Sequence, residues 1–207
     1  MVWSSAEQAT IQRFRRRFAW QVAARRSYDG AMWTEHLIWA LPAKGERLYH
    51  VEMGPLSEKD ADALAPRMAD IFLKNVASLT VVPLAKMKTL ERISIYGETI
   101  KLQNLDGIQR AKTLESVDVG DHEIVEIIPL GELRKLDYVC LSGNKKLADL
   151  TPLAACKELT LVRIDRTAVK DIMPLVDLPK LGEIDLKHSF SKKNKAAFQA
   201  KRPDVKL

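Results

Sequence analysis

The sequence predicts an α/β solenoid, with short parallel strands on a concave face, 3-10 or irregular turns on a convex face, and an N-terminal helix and hairpin as a cap. Three observations lead there. A phrase of Leu, two residues and an apolar-x-apolar pair recurs about every 22 residues, a proline returns at one place in the other half of the unit, and composition shifts at both ends. The chain has 207 residues, 46% hydrophobic and 29% charged, with 33 Lys plus Arg against 27 Asp plus Glu. Such a chain can bury a core, which excludes global disorder. Two cysteines exclude a disulfide framework and fit a reducing compartment. Met1 to Thr10 is polar and Ile11 to Arg17 basic, unlike a signal peptide, and no apolar run approaches the ~20 residues of a membrane span. The expected location is cytoplasmic.

Residues 1 to 47 are expected to form the cap or a small appendage, and 48 to 207 the solenoid. Residues 5 to 26 read as an amphipathic helix with Ile11, Phe14, Phe18 and Val22 on one stripe. Glu35 to Leu41 and Arg47 to Met53 flank Pro42-Ala-Lys-Gly-Glu46, the pattern of a hairpin. Tyr49-His-Val51-Glu-Met53 also reads as a first solenoid strand, 20 residues before Ile71. Ser57 would cap a helix over Glu58 to Met68.

The repeat proper starts near residue 68. Its clear copies are Leu90-Glu-Arg-Ile93-Ser-Ile95, Leu114-Glu-Ser-Val117-Asp-Val119, Leu136-Asp-Tyr-Val139-Cys-Leu141, Leu159-Thr-Leu-Val162-Arg-Ile164 and Leu181-Gly-Glu-Ile184-Asp-Leu186, and Met68-Ala-Asp-Ile71-Phe-Leu73 is a weaker one. Alternation sends the two apolar side chains of each trio to one face and the middle residue to the other. One trio is too short to stand alone, so copies must stack in parallel and pool their apolar faces. Pro83, Pro129, Pro152 and Pro174 each precede a leucine in the return half, where a residue without an amide donor fixes a tight turn. A period near 22 leaves no room for long return helices. Residues 187 to 207 are expected to close the far end, with a helix from Ser191 to Ala200 turning Ala196, Ala197 and Phe198 inward and a last strand over Pro203 to Leu207.

The copy Leu136-Asp-Tyr-Val-Cys-Leu141-Ser-Gly-Asn144 carries a resemblance. It resembles the 22-residue class of leucine-rich repeats, found in bacterial internalins and in a eukaryotic phosphatase-1 regulatory subunit. The likeness extends over about 68 to 207. Where the family repeats asparagine, the next unit has Thr167 and the last Ser189, so the asparagine ladder is largely absent. The resemblance implies a non-enzymatic module that binds a protein partner on its concave face. A freestanding solenoid of this size also resembles bacterial repeat proteins of the effector or immunity kind.

The charge pattern fits that expectation better than nucleic-acid binding. The formal net charge is +6, but residues 1 to 47 hold eight basic against four acidic residues, residues 187 to 207 seven against one, and the body between them 18 against 22. All four tryptophans, Trp3, Trp20, Trp33 and Trp39, lie in the N-terminal segment. The alternative function is a nucleic-acid or membrane-surface adaptor acting through Arg13, Arg15, Arg16, Arg17, Arg25 and Arg26, but no helix-turn-helix, zinc-finger or RNA-recognition motif accompanies them. His36, His50, His122 and His188 fall at no metal-ligand spacing, and no HExxH, GxSxG or phosphate-cradling loop occurs. No metal, cofactor or catalytic residue is expected. Cys140 is expected to face solvent with no histidine to activate it, and Cys156 to be a small buried hydrophobe.

The candidate partner-binding residues are therefore the outward positions of the strands, in three rows. The first reads Arg92, Ser116, Tyr138, Leu161, Glu183. The second reads Phe72, Ser94, Asp118, Cys140, Arg163, Asp185, and the third Tyr96, Gly120, Ser142, Asp165, Lys187. Aromatic side chains near arginine are typical of interface hot spots. The competing reading of these rows is an unspecialised, solvated sheet face.

Overall fold

A computed structural model describes residues 21–25, 37–41, 52–53, 69–74, 78–79, 84–97, 100–186 and 190–207. Seven parallel strands form one sheet in chain order: β3 (Glu52–Met53), β4 (Asp70–Lys74), β5 (Arg92–Tyr96), β6 (Ser116–Asp118), β7 (Tyr138–Cys140), β8 (Leu161–Arg163) and β9 (Glu183–Asp185). Two further strands, β1 (Gln21–Arg25) and β2 (Leu37–Leu41), pair antiparallel in a separate sheet.

The register follows from the repeat. Ile93, Val117, Val139, Val162 and Ile184 are successive partners, and each is buried. Their neighbours in the strands form the outward rows, Arg92↔Ser116↔Tyr138↔Leu161↔Glu183 and Ser94↔Asp118↔Cys140↔Arg163↔Asp185. Phe72 pairs with Ser94, and Glu52 with Phe72, so the 20-residue offset of the first strand holds. The opposite side returns through 3-10 turns at Leu84–Lys86, Ile108–Arg110, Ile128–Glu132, Thr151–Ala155 and Met173–Leu175. Pro129, Pro152 and Pro174 sit in the first two positions of the last three turns, where a missing amide costs no bond. Leu130, Leu153 and Leu175 drop from these turns into one core running through every repeat.

β6, β7 and β8 leave the sheet through the same tight turn, with Asp121, Gly143 and Arg166 in equivalent places at φ of 56°, 79° and 56°. The left-handed residue aims the next side chain inward, and in the first two of these turns that side chain bonds the repeat before it. Asn144, fully buried, accepts from the Ile124 amide through Oδ1 at 3.0 Å and donates through Nδ2 to Val119 O at 2.9 Å and Leu141 O at 2.8 Å. His122 does the equivalent work one unit earlier, accepting from the Leu102 amide through Nδ1 at 3.2 Å, with Nε2 3.0 Å from Ile95 O. Thr167 bonds Ile164 O and the Val169 amide of its own turn instead. The ladder is thus fuller than the asparagine count implies, because a histidine takes one rung.

The C-terminal end closes as expected, with one change. Helix α1 (Lys192–Gln199) is capped by Ser191, whose Oγ accepts from the Asn194 amide. Phe198 is fully buried, whereas Ala196 and Ala197 are exposed. With only two turns, the helix has one core-facing position, and the bulkiest apolar side chain takes it. Lys206 then bridges Glu183 in parallel, a last rung against β9. Arg202 ties this end to the body, donating to Val176 O (2.9 Å), Leu178 O (2.8 Å) and Leu181 O (3.0 Å) while pairing with Asp204.

The N-terminal expectations need one correction. The helix expected over 5 to 26 cannot extend through Gln21–Arg25, which is strand β1. Pairing with Leu37–Leu41, rich in strand formers such as Ile38 and Trp39, overrides the helical spacing. Of the expected hairpin of 35–41 with 47–53, β2 pairs antiparallel with β1 and Glu52–Met53 joins the large sheet, while residues 42–51, which include its turn, lie outside the described residues. The rest of the expected helix, the helix after Ser57, Pro83 and Ser189 lie outside the described residues.

Candidate functional site

The concave face is built by strand alternation. Arg92, Ser94 and Tyr96 point out from β5 while Ile93 and Ile95 point in, and the three-residue strands repeat the arrangement with one buried residue between two outward ones. Rungs about 4.8 Å apart give seven strands a face about 29 Å long.

Side chains on this face are held by one another. Phe72 and Tyr96 stack with ring centroids 6.3 Å apart and planes at 27°, and Tyr96 remains 52% exposed. Arg92 Nε pairs with Asp70 at 3.1 Å, and Arg163 Nε with Asp185 at 3.1 Å, each across one rung. The Arg163 guanidinium also donates to the Tyr138 phenol, and these two bonds favour its charged form further. Burial raises the Tyr138 hydroxyl above its ordinary range, partly offset by that guanidinium bond. Tyr138, Arg163 and Asp185 therefore form one contiguous polar group across three strands. Asp118 accepts from the Gly120 amide at 3.2 Å. Lys206 reaches Glu183 at 2.9 Å.

Two candidates are not where the sequence puts them. Cys140 is only 7% exposed, although it occupies an outward strand position. It is the smallest side chain between Asp118 and Arg163, and its thiol donates to Asp118, so its neighbours overtop it. Burial, then the nearby Asp118 charge, pushes this thiol up, away from nucleophile chemistry. Asp165 is 9% exposed and turned toward Arg166 at 3.4 Å, leaving little of it to a partner. Phe72, Ser94, Ser116, Asp118, Tyr138, Ser142, Leu161, Arg163, Glu183 and Asp185 are half-buried on the face, and Arg92 and Tyr96 are exposed. Lys187 lies outside the described residues.

Sequence reasoning missed the rim. Arg166 Nη1 pairs with Asp121 Oδ1 at 3.1 Å, spanning two repeats and passing over Gly143. A Cβ at Gly143 would lie 2.1 Å from Asp121 Oδ1, so the glycine serves both the positive φ and this bridge. Aligning the three turns reveals the pair, since Asp121, Gly143 and Arg166 fall at one repeat position. Among the described residues, no group of three or more His, Cys, Asp or Glu side chains could hold a metal, and no helix is long and apolar enough to cross a membrane.

No family model matches the sequence, and no curated protein matches it. Solved structures do resemble the fold. An internalin (inlF) from Listeria monocytogenes aligns with a TM-score of 0.56 and 14% identity over 81% of this chain and 53% of that one, so the chain spans about half its length. An internalin C2 (inlC2) from the same organism aligns at 0.52 and 20% identity, over 70% of this chain and 73% of that one. The structure of the Toll–Spatzle complex of Drosophila contributes a chain aligned at 0.51 and 12% identity, over 68% of this chain and 19% of that one. With the register, the convex 3-10 turns and the partly kept ladder, the fold is that of a leucine-rich repeat protein with internalin-like repeats.

Proposed function

We propose that the chain is a non-enzymatic binding module that takes a protein partner on its concave face. The observation carrying this reading is the aromatic shelf of Phe72 and Tyr96, beside side chains locked by the Arg92–Asp70 and Tyr138–Arg163–Asp185 bonds. An exposed aromatic already ordered by stacking loses little freedom on binding, and a rigid curved sheet adds none. A face about 29 Å long matches one side of a standard interface of about 800 Å². The described rows hold Arg92 and Arg163 against Asp118, Asp165, Glu183 and Asp185, an acidic balance that suits a protein surface better than a phosphate backbone. The module would act by occlusion or scaffolding. We place it in the cytoplasm and, from its internalin-like repeats, among bacterial proteins of the immunity or effector kind.

The test is capture of partners from a native lysate by the tagged full chain. Tyr96→Ala with Tyr138→Ala should remove the captured protein, and capture by the unaltered chain should vary little between low and moderate salt. Unchanged capture by this variant, together with loss on Arg15→Glu with Arg16→Glu, would favour the basic N-terminal adaptor instead. Steep weakening by salt would point the same way.

A further inference from the structure

His122 is 4% exposed and occupies the ladder rung that Asn144 occupies in the next repeat. An asparagine there carries a fixed donor and a fixed acceptor. A histidine does so in one protonation state only. A backbone N–H can only donate, so the Leu102 amide 3.2 Å from Nδ1 requires that nitrogen to be unprotonated, and Nε2–H then donates to Ile95 O at 3.0 Å. The site is shaped for the ring: a Cβ at Gly97 would lie 2.6 Å from His122 Cε1. Adding a proton to Nδ1 sets two donors against each other in a site sealed from water.

We propose that His122 is a proton-sensitive latch, tying the Ile95 carbonyl and the Leu102 amide of the preceding repeat to its own repeat at neutral pH and releasing them in mild acid. Ile95 immediately precedes Tyr96, so the latch bears on the proposed binding face at β5. That consequence rests on the concave-face reading, whereas the latch does not.

The surrounding charges do not rescue the imidazolium. Lys101, whose Nζ donates to Gly97 O and to Asp121 O at 2.7 Å, places an ammonium beside Leu102. Asp118 and Asp121 of the histidine's own repeat favour the charged form, but Asp118 is bonded to Gly120 and Cys140, and Asp121 to Arg166 from two repeats on. Glu123 next in sequence is engaged by Gln103 and Lys146. Glu98 lies outside the described residues. Burial dominates and lowers the His122 pKa below its ordinary value, with Lys101 acting in the same direction.

The sign follows directly. A group whose closed-state pKa is depressed gives up no stability above its open-state value near 6.5, and the closed state loses ground as pH falls below it, by up to tenfold in the opening equilibrium per pH unit, until the depressed value is reached. Amide exchange of the full chain without a partner reads this out. Between pH 7.5 and 5, corrected for intrinsic rates, protection of the Leu102 and Glu123 amides should fall by up to about tenfold per unit below about 6.5. In His122→Asn the amide restores a pH-independent rung and that fall should disappear. Nitrogen-15 shifts of the unaltered protein should show His122 as the neutral Nε2–H tautomer at pH 7.5. Flat protection across the range, an equal fall in His122→Asn, or an Nδ1–H tautomer would each overturn the latch. Because no partner enters the measurement, failure of the concave-face reading leaves its result intact.

Discussion

Asn144→Ala is the substitution whose cost the structure defines best. The side chain is fully buried and makes three hydrogen bonds. Its removal leaves the Ile124 N–H and the Val119 carbonyl without the partners they have now, while Leu141 O retains the Asn144 amide at 3.3 Å. The accounting is therefore two orphaned backbone groups. At about 1–3 kcal/mol each, the variant should be destabilised by about 4 kcal/mol, a large part of the 5–15 kcal/mol typical of a domain. With a urea slope of about 2 kcal/mol/M, the unfolding midpoint should drop by about 2 M. Far-UV circular dichroism across a urea titration at pH 7.5 measures it. A drop below about 0.5 M at unchanged slope would refute the reasoning, because it would mean that the repeats are held together without the ladder.

Two further predictions concern the closing unit and the thiols. Arg202→Ala strips a donor from three carbonyls at the end of the solenoid and should cost about 2–4 kcal/mol, while Arg202→Lys should recover less than half, since a single ammonium cannot reproduce the fork; urea midpoints of the two variants check both. Cys140 and Cys156 are buried, with the Cys156 thiol pushed up to about 11 by desolvation, so a disulfide reagent at pH 8 should label neither rapidly in the folded chain and both once it is denatured. Labelling of the folded protein at the rate of a free cysteine would contradict the burial of these two thiols.

The repeat body was legible because one rule governs it. Period-2 alternation combined with a 22-residue spacing forces Ile93, Val117, Val139, Val162 and Ile184 into one buried file, and the outward rows then follow by counting. What escaped depends on neighbours rather than on spacing. Cys140 has the position of an exposed residue, but the lengths of Asp118 and Arg163 decide its access to solvent. His122 was weighed as a possible metal ligand, whereas alignment with Asn144 reveals its role. Arg202 reads as one more terminal charge until the carbonyls around it are known. At the N-terminus, the spacing of Val22 suits a helix, and only the pairing of Gln21–Arg25 with Leu37–Leu41 shows that a strand wins there.

Thr167 has one more implication. In a linear array each unit touches only its neighbours, so the way the whole comes apart is set by the joints between units. His122 and Asn144 clamp two successive joints with buried side chains, while Thr167 turns its hydroxyl back on its own turn and the next joint is bridged by solvent-facing pairs instead, Arg166–Asp121, Thr160–Asp137 and Lys180–Glu158. Beyond it, Arg202 and the Lys206 rung bind the last units to each other. The solenoid thus has joints of two kinds, sealed ones whose side-chain links are buried and a Thr167 joint whose links face solvent and are screened by salt.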